Sequence, residues 1–499
     1  MFENYCVSNI GITSDYMFHK NEVLMAILGL AKEKAPGIDN ISAEHLLYAA
    51  DVVSQPLCNL FNACIIHGCV PDSFTTSIIV PVEKDKLCGA SSFDNYRPIA
   101  LVTMFSKVFE NCLAGRLMLD KFFDPLQYGF TRGRGCQKAL LSVECIVNYF
   151  TCRGSAVYMS ALDASKAFDR VNHYSLFIAL MKHQIPVEYL RIIIYWHLHL
   201  SGLVRWSGCL SGVFVIQSGI RQGGINSPGF FNIFINDLIV KLRNSGNGCY
   251  ISDIFCGCIL FADDILLLSA SLRKLQLMLD ICVEFATNND MKFNYVKSHL
   301  FQVGVSVDVS LPKLELGNNE LAWVNELKYL GVVFVSGKKF SVNIDLNCRK
   351  FLSSSFAILQ KCKYLSEEIL CKLVLTNCLP MLLYGIDSVC LKCEQIRRMS
   401  IAFNTVFRRI FHMSKFSSMR LIYHFIGTKT LECLYEERFV CLVRNCSISD
   451  FDLLRFCSFF SSTRDSFVNI CHKFDVHINM TINHIKKQSA SFFMNTLDL

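Results

Sequence analysis

The apolar positions of this 499-residue chain change rhythm several times, and each change marks an element. Glu22 to Ala31 has helical spacing and ends in Lys34-Ala35-Pro36-Gly37-Ile38-Asp39, a turn signal, after which Ser42 is placed to cap a helix. Ser77 to Val82 is β-rich and leads past Lys84 to the polar stretch Asp94-Asn95-Tyr96-Arg97-Pro98, and helical spacing returns from Ser106 to Phe122. From Ala156 the pattern predicts strand, helix, strand, helix, strand. Ala156 to Leu162 is a short apolar strand whose end delivers Asp163, Pro186 opens a helix, and Val204 to Trp206 pairs with Val213 to Ile216 as a hairpin. Pro228 opens another helix with Phe231, Phe234, Leu238 and Leu242 at core spacing. Ile254 to Phe261 and Ile265 to Ser269 are then separated only by Ala262-Asp263-Asp264, which predicts a tight hairpin with two carboxylates at its tip.

Composition narrows the class. Hydrophobic residues make up 52% and charged ones 18%, which excludes a disordered chain and raises the question of a membrane span. The best candidate, Leu373 to Ile386, has fourteen residues without a charge and contains Asn377 and Pro380, short of the roughly 20 a span needs, so it reads as buried core. The 25 cysteines are odd in number and scattered singly through apolar runs, and no secretory apolar segment follows Met1. That predicts a reducing, intracellular setting, nuclear or cytoplasmic. The one Cys-x-x-Cys, Cys390 to Cys393, has no second pair at finger spacing, which argues against structural zinc. The net charge of +7 is unevenly spread: Lys338 to Arg420 holds fourteen Lys/Arg against five Asp/Glu. Such a segment is either a solvated face or a phosphate-contacting surface.

The chemistry concentrates on carboxylates. Adjacent aspartates between two apolar strands need compensation, because half-buried charge costs several kcal/mol unless it is paired or metal-bound. A loop tip in water would also satisfy them. Asp163, a hundred residues earlier, ends another apolar strand, and if both strands share a sheet the three carboxylates converge. Oxygen ligands of this kind suit Mg²⁺, which keeps waters and binds substrate phosphates through one or two carboxylates. Two such ions would activate an attacking hydroxyl and stabilise a leaving pyrophosphate.

Around these carboxylates the sequence resembles the reverse transcriptases of non-LTR (LINE-like, jockey-like) retrotransposons, in order from about Lys34 to Phe334. Lys34-Ala35-Pro36-Gly37-Ile38-Asp39 resembles the family's opening signature, and Asn95-Tyr96-Arg97-Pro98-Ile99 and Gln127-Tyr128-Gly129-Phe130 with Arg132-Gly133-Arg134 resemble its fingers motifs. Leu162-Asp163-Ala164-Ser165-Lys166-Ala167-Phe168-Asp169, Arg221-Gln222-Gly223-Gly224 with Ser227-Pro228, and Phe261-Ala262-Asp263-Asp264 match its three catalytic motifs. Asn294 to Lys297 is similar to the next palm motif, Lys328-Tyr329-Leu330-Gly331 to its primer grip, and Leu383-Tyr384-Gly385 to a thumb segment.

The resemblance implies an α+β right-hand polymerase, with fingers and an N-terminal extension over 1–155, a ferredoxin-like antiparallel palm over 156–335, and a helical thumb and C-terminal region over 336–499. It implies an RNA-directed DNA polymerase that takes an RNA template, a DNA primer and dNTPs, with two Mg²⁺ ions for which Mn²⁺ can substitute. Asp163, Asp263 and Asp264 would be catalytic metal ligands. Lys84 and Arg97 would clamp the triphosphate, Phe168 would gate the sugar, Gln222 and Gly223 would line the nucleotide and template-base pocket, and Lys297 would donate a proton to pyrophosphate. Two departures stand out. Asn226 replaces the usual Leu before Ser227-Pro228, and Gly229 loosens the helix that follows. The endonuclease of related elements is expected on a longer parent chain. A viral RNA-dependent RNA polymerase fits less well, because Phe168 stands where that class places Asp, and a group II intron maturase is disfavoured because no maturase segment is recognisable after the thumb. A catalytically silent nucleic-acid-binding remnant of the same fold is the alternative from another class.

Overall fold

In the strand Asp264–Ser269 successive residues, not alternate ones, are hidden: Ile265, Leu266, Leu267 and Leu268 are each 1% exposed or less. A strand of this kind is covered on both faces, which is why its sequence is a continuous apolar run. The computed structural model describes residues 14–84, 95–304 and 311–497, so Asp94 of the polar stretch lies outside the described residues. By internal contacts the chain forms two units, each discontinuous in sequence. One takes the chain up to Arg132 with Ala164–Lys241 and Ile281–Asn294; the other takes Gly133–Asp163, Leu242–Asp280 and the chain from Tyr295.

The first unit holds the strands Thr76–Glu83, Tyr96–Leu101 and Ser201–Trp206. Thr76–Glu83 is central, antiparallel to Tyr96–Leu101 and parallel to Ser201–Trp206. The expected hairpin forms in a different register: Arg205 and Trp206 pair with Leu210 and Cys209 across a tighter turn, and Phe214–Val215 returns to pair with Ser201 and Gly202. Its core is aromatic. Phe18, Phe61, Phe74 and Phe109 interlock with centroids 5.0–6.4 Å apart, and Phe109 stacks on Trp196 at 5.6 Å. The helix Ser227–Asn244 buries Phe231, Phe234, Leu238 and Leu242, the four positions its spacing predicts. Gly37, in the opening signature, has a physical reason: a Cβ there would lie 2.6 Å from the Thr103 nitrogen.

The second unit carries a five-stranded sheet in the order Ala322–Trp323, His299–Val303, Val157–Asp163, Asp264–Ser269, Cys258–Phe261. Pairing is antiparallel except at the edge, where Ala322–Trp323 runs parallel to His299–Val303. The long run expected over Ile254 to Phe261 is broken. Ile254–Phe255 pairs with Tyr250–Ile251 in a separate ribbon, and a new strand starts at Cys258. Gly257 lies at the break, where a Cβ would lie 3.0 Å from the Cα of Gly248. Beyond Asp345 the unit is helical to Leu497. The helix Cys393–Ile410 turns Met399, Phe403, Val406, Phe407 and Ile410 inward and leaves Arg397, Arg398 and Arg409 outside. No helix among the described residues is long and apolar enough to cross a membrane.

Candidate active site

Asp163 is the last residue of its strand and Asp264 the first of the next, and the antiparallel register sets them directly opposite each other. The turn between the two strands that flank the tip is shorter than the sequence suggests. Phe261 pairs with Asp264, so only Ala262 and Asp263 form the loop, and Asp264 belongs to the sheet. Ala262 adopts φ +54°, a left-handed conformation costing a residue with a Cβ about 1 kcal/mol. That cost is met where the loop brings Asp263 beside two strand-end carboxylates. Asp264 is accessible on its outer side, yet loss of hydration, and then the charges of Asp263 and Asp163, push its carboxyl up to about 6.

The donor set is open. Among the described residues no three His, Cys, Asp or Glu side chains group closely enough to hold a metal ion between them. Carboxylates that repel one another, as the raised Asp264 carboxyl records, are donors that would suit a hard cation bound through one or two side chains. Ser298, which the sequence did not single out, fixes the trio from behind: it is fully buried and its Oγ accepts the Asp163 N–H at 3.1 Å. Lys297, exposed, immediately precedes it, where the chain enters the strand that pairs His299 with Ala161.

The remaining predicted residues belong to the first unit, where several come together. Phe168 lies in the short 3₁₀ turn Ala167–Arg170, half-buried, stacked on Phe231 at 4.7 Å and 9° and meeting Phe130 edge-on at 6.2 Å. Gln222 Nε2 donates to Asp169 Oδ1 at 2.7 Å, and Gln222 O accepts the Ala100 N–H at 2.8 Å. Burial raises the Asp169 carboxyl, while Gln222, Lys166 and Lys84 pull it back. Gly223 adopts φ +113°, and a Cβ there would lie 3.2 Å from Ala100 O. Arg97, exposed, pairs in register with Val82, two residues before the exposed Lys84. Asn226 is no defect of packing. It is 6% exposed and its Nδ2 donates to Glu110 O at 2.9 Å. Gly229 is tight where looseness was expected, since a Cβ there would meet Leu119 Cδ1 at 2.9 Å.

In the second unit the primer-grip and thumb segments meet. Glu326–Tyr329 and Val332–Val335 form a two-residue hairpin with positive φ at Leu330 (+46°) and Gly331 (+80°). A Cβ on Gly331 would lie 2.8 Å from Tyr384 Cε1, and one on Gly385 2.4 Å from Val332 Cγ2. Tyr329 Oη donates to Ile259 O at 3.2 Å, tying this hairpin to the strand that precedes Ala262.

The sheet ends in three carboxylates with ordered motifs on either side of them in the sequence, and sequence comparison gives the class. The model of the reverse transcriptase (RNA-dependent DNA polymerase) family matches residues 82–334, just over half the chain, and the chain belongs to that family. Its curated relatives are retrotransposon proteins of the non-LTR kind, as the motifs imply. The Pol polyprotein of the type-2 retrotransposable element R2DM of Drosophila melanogaster is 25% identical over 319 residues, 62% of this chain and 29% of that protein. The R2 polyprotein of Popillia japonica is 25% identical over 406 residues, 79% of this chain and 55% of its own. The RNA-directed DNA polymerase from mobile element jockey of Drosophila funebris is 24% identical over 322 residues, 62% of this chain and 34% of its own. The chain thus spans about three-tenths to just over half the length of these relatives. Among solved structures, telomerase from Candida albicans with a fragment of telomeric RNA aligns over 79% of this chain and 66% of its own, with TM-score 0.45 and 10% identity.

Proposed function

We propose that the chain extends a DNA primer on an RNA template by nucleotidyl transfer from dNTPs, with Asp163, Asp263 and Asp264 as the ligands of two divalent cations, Mg²⁺ or in its place Mn²⁺. The observation that carries this reading is the register: Asp163 opposite Asp264 at one end of one sheet, with Asp263 next to it in a strained two-residue turn. The cations, when bound, would activate the primer 3′-hydroxyl and stabilise the leaving pyrophosphate. The chain's own groups do the rest. Ser298 holds the Asp163 backbone so that its carboxylate keeps one place. Lys84 and Arg97 bind the triphosphate, Arg97 by its fork and Lys84 as a point charge. Phe168, braced by Phe231, lies under the sugar and excludes a ribose 2′-hydroxyl. Gln222 and Gly223 line the base pocket, and Lys297 donates a proton to pyrophosphate.

Fingers over 1–155, palm over 156–335 and thumb over 336–499 are the functional division that goes with this reading, in a nuclear or cytoplasmic protein, with target nicking left to an endonuclease domain on a longer parent chain. Primer extension tests it. Asp163→Asn or Asp263→Asn should each lose at least several hundredfold in rate, about 4 kcal/mol in barrier, while primer-template affinity stays near that of the parent. Extension at the parental rate by either variant overturns the assignment.

A further inference from the structure

We infer that Glu110 is a positioning residue for nucleotide binding, because one buried side chain grips the Gln222-Gly223-Gly224 turn from both ends. The inference rests on the reading of Gln222 and Gly223 as nucleotide-lining. Glu110 lies in the helix Met104–Leu117 and is 5% exposed. Its Oε1 accepts from Arg221 Nη2 at 2.6 Å, just before the turn, and its Oε2 accepts the Ile225 N–H at 2.6 Å, just after it. Its backbone oxygen accepts from Asn226 Nδ2 at 2.9 Å. Arg221 cannot swing away with the turn, for it also donates to Phe74 O at 2.9 Å and lies over the Trp196 ring at 4.9 Å. The turn has little slack: a Cβ on Gly224 would lie 2.6 Å from Ser227 Oγ. Gln222 is thereby presented at a fixed height, with its carboxamide turned by Asp169. A solvated helical glutamate would do none of this.

The test separates holding the turn from holding the fold. Glu110→Gln leaves the Arg221 charge buried without its partner and is expected to destabilise the chain, so the decisive protein is Glu110→Met/Arg221→Met, which removes both charges and keeps the volume. In the full chain this double variant should be less destabilised than Glu110→Gln, although the Ile225 N–H and the Phe74 carbonyl lose these partners. Amide exchange across Arg221–Ile225 should nevertheless accelerate about tenfold, and KM for dNTP should rise about tenfold with kcat and primer-template Kd within about threefold of the parent. Glu110→Asp should recover part of the KM. A double variant with parental exchange and parental KM overturns the inference, as does faster exchange with an unmoved KM. Exchange that rises throughout the first unit assigns Glu110 to stability alone and also overturns it. If the parent itself fails to extend a primer, the polymerase reading falls separately, and local exchange alone decides whether Glu110 holds the turn.

Discussion

Glu144 should make the protein's stability fall as pH rises, and Glu144→Gln should abolish that fall. The side chain is buried in the helix Cys136–Thr151, and both of its carboxylate oxygens accept the Cys390 N–H, at 3.0 and 3.1 Å. Burial outweighs that bond and pushes the carboxyl up to about 8 from its ordinary 4.5. The folded chain therefore keeps a proton that the unfolded chain releases, so the group's contribution is fully present below about pH 4.5 and is lost as pH rises through about 8. At about 1.4 kcal/mol per pH unit the loss reaches about 3 kcal/mol by pH 7 and about 5 kcal/mol above pH 8, both upper bounds. Glutamine keeps an acceptor for Cys390 and does not titrate. Thermal or urea unfolding from pH 5 to 8.5 should find parent and variant within about 1 kcal/mol at pH 5, with the variant pulling ahead by a few kcal/mol at neutral pH. Curves that stay parallel across that range refute the reasoning.

Phe168→Ala should raise ribonucleotide incorporation relative to dNTP in a primer-extension competition, with some loss of stability, about 3 kcal/mol, from the vacated stack on Phe231; an unchanged ratio in an active variant removes the gate from Phe168. Arg397→Gln with Arg398→Gln should flatten the log-log salt dependence of primer-template binding by about one, less than two phosphate contacts would give, because Arg398 already pairs with Asp345; a parental slope returns Lys338 to Arg420 to a solvated face. Gly331→Ala should lower stability by roughly 1–3 kcal/mol, since it meets both φ +80° and the Tyr384 ring, and pairing it with Tyr384→Ala should recover only the steric part in a double-mutant cycle.

What the sequence made legible follows from whether a signal is local. Two aspartates between apolar strands are conspicuous because strands of that composition bury both faces, and the register bringing Asp163 to Asp264 follows once the strands share a sheet. The helix containing Phe231 and Leu242 was readable for the same reason: its spacing is its burial. The break at Gly257 was hidden, because the demand on it comes from Gly248 on a neighbouring segment and not from its own apolar run. Glu110 was hidden more deeply. Its partner Arg221 lies 111 residues away, and no periodicity distinguishes a glutamate facing water from one facing a buried guanidinium. Asn226 read as a departure from a motif, whereas its amide answers the Glu110 backbone oxygen.

The acidic groups of this chain also explain one another. Taking a carboxylate out of water requires a counter-charge, a proton or a cation. Glu110 has the counter-charge, supplied by Arg221 with a backbone N–H on its other oxygen. Glu144 has backbone N–H contact and, among the described residues, no arginine at its oxygens, and the proton is what it keeps. Asp264 faces Asp163 in register and follows Asp263 in sequence, so loss of hydration first, and then the negative charge of these neighbours, drives its carboxyl upward. Protonation of Asp264 would relieve the trio only below about pH 6, whereas a divalent cation would relieve it at neutral pH and would leave all three oxygen donors in use. On the proposed reading, substituting one aspartate by asparagine removes a ligand as well as a repulsion, so the Asp263→Asn chain should fold at least as stably as the parent while losing polymerisation. That divergence between stability and activity separates a site built to hold metal from a turn that tolerates acid.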